Sequence, residues 1–166
     1  MFRPWPACLA AALFTAALVG CGGGGDAASP AATTRTVDAY VGNWLSRSCN
    51  TMGSGSYKNL VAITKVSDSQ FQEVVNALNY ASTDCTGAGT LSTAPGTATI
   101  YTLAGTKTLD GLVVDKATRP SLNTVFKTVF YTDGRVWREG DDDSTLDADG
   151  FPTAFETSAY SIYDKQ

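Results

Sequence analysis

Val125-Phe126-Lys127-Thr128-Val129-Phe130-Tyr131-Thr132-Asp133-Gly134-Arg135-Val136-Trp137-Arg138 is the stretch that decides the fold. Apolar and polar residues alternate along both of its arms, with β-branched and aromatic types prominent. That is the period of a strand with one face buried. Asp133-Gly134 sits between the arms, and an Asp-Gly pair supplies the positive φ angles that a tight hairpin turn requires. Residues 125–138 therefore read as a β-hairpin.

The same signals recur on both sides of it. Val37 to Ser48 carries Tyr40, Val41, Trp44 and Leu45, and Gly53-Ser54-Gly55-Ser56 then breaks the chain. Tyr57 to Val66 follows. Thr97 to Leu103 leaves the Pro95-Gly96 turn, Leu112 to Thr118 is entered through Asp110-Gly111, and Ala159 to Tyr163 closes the sequence. Gln70 to Ala81 is ambiguous. Phe71, Val74, Val75 and Leu78 fall at helical spacing, with a capping box available from Ser69 and Gln72. Val74, Leu78 and Tyr80 also share a strand face, and every neighbouring segment is strand-like, so it is read as a strand. The fold class is thus all-β: about eight short antiparallel strands over residues 37–166 joined by close turns, as in an up-and-down barrel or a sandwich. Closure into a barrel is favoured because it removes exposed strand edges.

The N-terminus is of another kind. Arg3 precedes an apolar run from Ala7 to Val19, within the length of a signal-peptide core and short for a membrane span. Leu18-Val19-Gly20-Cys21 follows, then four glycines, Gly22 to Gly25. This resembles the lipobox of bacterial lipoproteins. The resemblance implies removal of residues 1–20, diacylation of Cys21, and a lipid anchor that makes the membrane a partner. With Gly22 after the cysteine in place of Asp, it also implies export to the outer membrane in a Gram-negative host. An ordinary signal peptide cleaved at a small residue is the rival reading. Residues 21–36, rich in Gly, Ala, Ser and Thr, read as a flexible linker whose ends lie roughly 20 Å apart on average.

Arg3 leaves with the signal, which takes the 12 basic residues to 11 against 16 acidic ones, a net charge near −5. An acidic domain without a basic cluster argues against nucleic acid as a partner. Cys8 leaves with the signal too, and Cys21 is assigned to lipid. Cys49 and Cys85 remain, an even pair in an oxidising compartment that reads as a disulfide, with two free thiols as the other reading. On the chain-entropy model the bond adds roughly 3–4 kcal/mol. The sequence contains no histidine, which excludes Ser-His-Asp and Cys-His catalysis and removes the usual zinc and copper ligand. No cofactor motif and no catalytic constellation is visible, so the protein is not read as an enzyme.

Gly42-Asn43-Trp44 resembles the Gly-x-Trp signature of lipocalins and related small barrels. There the tryptophan packs at the closed barrel end, often beneath an arginine from a late strand; here that role falls to Arg135 or Arg138. The long helix that follows a lipocalin barrel has no counterpart. More of the chain is similar to small exported bacterial lipoproteins with a lipocalin-like domain of unassigned function. Gly42 and Trp44, Cys49, Ser54 to Lys58, Cys85-Thr86-Gly87 and Asp147 to Pro152 carry that resemblance. It implies the fold and the disulfide, and no particular ligand.

Glu139, Asp141, Asp142, Asp143, Asp147, Asp149 and Glu156 form an acidic stretch. Thr145 to Glu156 partly follows a calcium-binding EF-hand loop, but begins on Thr145 and has no flanking helices. A different calcium site at Asp147 and Asp149, a general acid–base pair of the same residues, and a solvated loop of Asp and Gly turns are the readings weighed; the last is preferred. The aromatics Tyr40, Trp44, Tyr57, Phe71, Tyr80, Phe126, Phe130, Trp137 and Tyr160 either fill the barrel or line a cavity. The functional expectation is an envelope lipoprotein whose barrel binds a small apolar or amphipathic ligand. The alternative is a filled barrel that meets an envelope protein or calcium through its acidic loop.

Overall fold

A computed structural model describes residues 36–94 and 96–166. Cys21, the signal segment and nearly all of the linker lie outside the described residues. Ten strands follow a 3-10 turn at Val37–Ala39: β1 Gly42–Ser46, β2 Asn50–Met52, β3 Gly55–Lys65, β4 Gln70–Tyr80, β5 Thr90–Leu91, β6 Ala98–Leu109, β7 Leu112–Ser121, β8 Thr124–Thr132, β9 Val136–Glu139 and β10 Ile162–Lys165. Eight of them, in the order β1-β3-β4-β6-β7-β8-β9-β10, close into a ring in which β10 pairs with β1. Every pairing is antiparallel and joins neighbours in the ring, so this is an up-and-down closed barrel, not a sandwich. Short β2 and β5 are appended to β3 and β4.

Gln70–Tyr80 is a strand over its whole length, paired with β3 through ten residues and with β6 through five. The apparent helical spacing there reflects apolar residues on both faces: Phe71 points inward and is fully buried, whereas Val74 and Leu78 lie on the opposite face and are partly exposed. The chain ends of two expected strands are 3-10 turns instead, at Val37–Ala39 and Ala159–Ser161. β6 runs on to Leu109, past a register shift between Leu103 and Thr106 where Gly105 takes a positive φ of 101°.

Asp133 and Gly134 make the expected hairpin turn. Asp133 Oδ1 accepts the backbone N–H groups of Arg135 and Val136, both at 2.8 Å, and Gly134 has φ 87°. Cys49 and Cys85 are joined by a disulfide that ties the β1–β2 connection to the β4–β5 connection. Ser56 secures the same region, its hydroxyl donating to Ser82 O at 2.6 Å and accepting from Cys85 N at 2.9 Å.

Candidate functional site

Strand directions give the barrel two unlike ends. Val37–Ala39 lies by the end where β1 begins and β10 finishes. There Tyr40, Trp44, Phe71, Phe130 and Trp137 are at most 1 % exposed. Their rings touch in series: Tyr40–Phe71 at 5.6 Å, Phe71–Phe130 at 5.7 Å, Phe130–Trp137 at 5.5 Å and Trp44–Trp137 at 6.2 Å between centroids. These aromatics fill the closed half. Two polar atoms inside it are satisfied internally. The Tyr40 hydroxyl donates to the Asp115 carboxylate, and Trp44 Nε1 donates to Tyr40 O at 2.7 Å.

Gly42 and Trp44 meet at this end for a steric reason. Lys165 pairs across from Trp44 and lays its ammonium 5.0 Å from the indole centroid. Its stem passes where a Cβ on residue 42 would stand, 3.1 Å from Lys165 Cε, and Gly42 itself has φ 137°. A side chain there would press on the lysine stem, and the positive φ disfavours one in any case. The cation over Trp44 is therefore Lys165 and neither Arg135 nor Arg138. Arg138 instead covers Phe155 on the outer face at 4.1 Å, because adjacent strand residues point to opposite sides and Trp137 takes the inward position.

The other half of the interior is polar. Alternation from buried Phe71 carries Glu73 inward, from Ala117 carries Arg119 inward, and from Trp137 carries Glu139 inward. Glu73 is 8 % exposed and its Oε2 has no hydrogen-bond partner. Burial pushes its carboxyl up to about 7, against the opposing charge of Arg119. Burial also pushes Glu139 up to about 8; the negative charges of Glu73, Asp142 and Glu156 act in the same direction, and a Ser161 hydrogen bond opposes them. Arg119 spreads its guanidinium over Phe126 at 4.1 Å and Tyr101 at 5.9 Å. Beneath lie Tyr101, Phe130, Trp137 and Tyr163, with Trp137 and Tyr163 stacked at 4.7 Å. Burial raises both tyrosines, and the two glutamates add to the rise. The side-chain nitrogens Trp137 Nε1 and Arg119 Nε are buried without an acceptor.

Beyond Glu139, the rest of the acidic stretch forms a strap across the outer face of β6, β7 and β8. Phe151 and Phe155, 5 % and 3 % exposed, pack with Leu109, Val114 and Val129 into a second core. Asp147 is paired with Lys107 and its Oδ1 accepts from Asp149 N at 3.0 Å and Phe151 N at 2.9 Å. Lys107 and these amides hold its carboxyl down to about 2. Asp149 meets Lys116 at 3.3 Å. The two aspartates proposed from the sequence thus each hold a lysine, and among the described residues no group of three or more Cys, Asp or Glu is placed to bind a metal. Between β8 and the strap lies an open groove of about 240 Å³, touched by Val125, Leu146 and Pro152.

Glu73 and Arg119 were not singled out by sequence reasoning, and Glu139 was read only as the first residue of the acidic stretch. The available signal was a charged residue at an inward position of an alternating strand. Compared with protein-family models, curated proteins and solved structures, the chain matches none of them.

Proposed function

We propose that this protein is a lipid-anchored lipoprotein of the cell envelope whose lipocalin-like barrel binds a small apolar or amphipathic molecule at its polar end. The observation that carries the binding reading is the Glu73 carboxyl, inside the barrel with an oxygen that no protein group satisfies. A buried carboxyl without partners costs stability, and a side chain of similar size and no charge would remove the cost. Buried groups of this kind cluster where a ligand is handled. The aromatic layer below offers the apolar body of a ligand a surface, and the closed half gives it a floor. The lipobox resemblance at Cys21 supports the anchor, because a diacylglyceryl group supplies the two chains that stable attachment needs.

Native mass spectrometry of the full chain, purified from the envelope in a mild detergent, tests both halves. The expected spectrum carries the mass of a diacylated Cys21 and an additional small molecule released on activation. Cys21→Ser is expected to leave the membrane fraction; retention there would dismiss the anchor.

A second reading rests on the outer face. Val125 and Leu146, 59 % and 58 % exposed, line the groove beside the strap, and Leu122, 105 % exposed, stands in the adjoining β7–β8 turn. Such a patch suits an envelope protein partner. In that reading the native spectrum shows the lipid and no small molecule.

A further inference from the structure

We infer that the molecule held in the barrel is an organic cation, a protonated amine on an aromatic or aliphatic body. This rests on the reading of the polar end as a binding site and goes on to name the ligand's chemistry. Two carboxyls, Glu73 and Glu139, point into the barrel from β4 and β9, and one guanidinium, Arg119, points in from β7. Arg119 acts on Glu73. The strongest charges acting on Glu139 are those of Glu73 and Asp142, which share its sign, with Glu156 adding to them. Once both glutamates are ionised, the polar end therefore holds one negative charge more than Arg119 offsets.

The unpartnered atoms make the same end a site. Glu73 is more than nine-tenths buried and no protein donor reaches its Oε2, while the indole N–H of fully buried Trp137, itself a donor, has no acceptor. An ammonium answers the first of these and not the second. A ligand ammonium would take Glu73 Oε2 and the Glu139 carboxylate.

The floor suits a cation as well. Tyr101, Trp137 and Tyr163 present π-faces and edges below the carboxyls, and aromatic faces attract ammonium groups, most strongly where water is excluded. Arg119 already exploits Tyr101 and Phe126 in this way. With both carboxyls ionised, an anionic head group would face two negative charges for one guanidinium, and a neutral one would leave the surplus charge unanswered.

The test uses three water-soluble probes with one aromatic body: 2-phenylethylammonium, 3-phenylpropanoate and 2-phenylethanol. Each is titrated by calorimetry into the full chain, purified in non-ionic detergent, at about pH 8.5, where the carboxyls are ionised. The ammonium is expected to bind at least about tenfold more tightly than either of the others. Glu73→Gln with Glu139→Gln is expected to erase that preference. Because the double variant alters the core, Glu139→Gln alone, at a partly exposed site, is read beside it and should reduce ammonium affinity several-fold. The wild-type preference needs no variant at all. Equal binding of the three probes, or tighter binding of the propanoate, overturns the cation and leaves the barrel a binding site. No heat from any probe overturns it too, and a native spectrum without a small molecule would then remove the binding reading with it.

Discussion

Phe130→Ala is expected to destabilise the protein by about 3–5 kcal/mol, a large part of the roughly 5–15 kcal/mol that holds a domain folded. Phe130 is 1 % exposed and sits where four other rings converge, with centroids at 5.0 Å to Tyr101, 5.5 Å to Trp137, 5.7 Å to Phe71 and 6.2 Å to Tyr40. Removing the ring costs its transfer free energy and leaves a void. The void cannot close cheaply, because β8 is held on both sides: Phe130 pairs with Asp115 on β7 and Glu139 on β9. A closed ring of strands cannot slide inward as two stacked sheets can. The check is urea unfolding followed by circular dichroism, with Val125→Ala as the control. Val125 lies in the same strand, is 59 % exposed, and should change stability by no more than about 0.5 kcal/mol. Equal, small losses in the two variants would mean that the closed half is not packed as described.

Much of this barrel was legible in the sequence because its rules are local. Asp133-Gly134 dictates a turn, and alternation from Val125 to Arg138 dictates two strands with Phe130 and Trp137 inside. What was less legible depends on neighbours distant in sequence. Gln70–Tyr80 shows a mixed period because both of its faces carry apolar residues, and only pairing with β3 and β6 settles it. The cation over Trp44 is supplied by Lys165, from β10 beside it, while Arg138 faces outward. The acidic stretch looked like a solvated loop; Phe151 and Phe155 make it a packed strap, since they cover outward-facing Val114 and Val129. Glu73 was overlooked, and Glu139 was read only as part of the acidic stretch, because a glutamate in a strand ordinarily marks the wet face. Alternation from Phe71 and from Trp137 already placed both of them on the inner one.

Those two glutamates set an unusual dependence on pH. The ordinary glutamate value is 4.5, and in the folded protein Glu73 stands at about 7 and Glu139 at about 8. Between these limits the folded chain keeps protons that the unfolded chain has released. A state that binds more protons is weakened as protons become scarce, so stability falls as pH rises through about 5 to 8. At about 1.4 kcal/mol per pH unit over its own interval, Glu73 alone accounts for about 3 kcal/mol, and Glu139 adds to it. Carboxylates held low act in the opposite sense and in a different range. Asp147 beside Lys107 and Asp164 beside Arg47 stabilise the protein above their depressed values, and that contribution is lost on acidification below about pH 4. The two tendencies place the maximum near pH 5. Thermal melts from pH 4 to 9 should show a melting temperature that declines across the neutral range, and Glu73→Gln with Glu139→Gln should flatten that decline while leaving the acid limb in place. A double variant that still loses stability between about pH 5 and 8 would mean that the two carboxyls are not the source. The same linkage bears on the ligand. A cation that pairs with the ionised carboxyls lowers their folded values toward 4.5, so saturating 2-phenylethylammonium should shrink the decline in the wild type and have no such effect in the double variant.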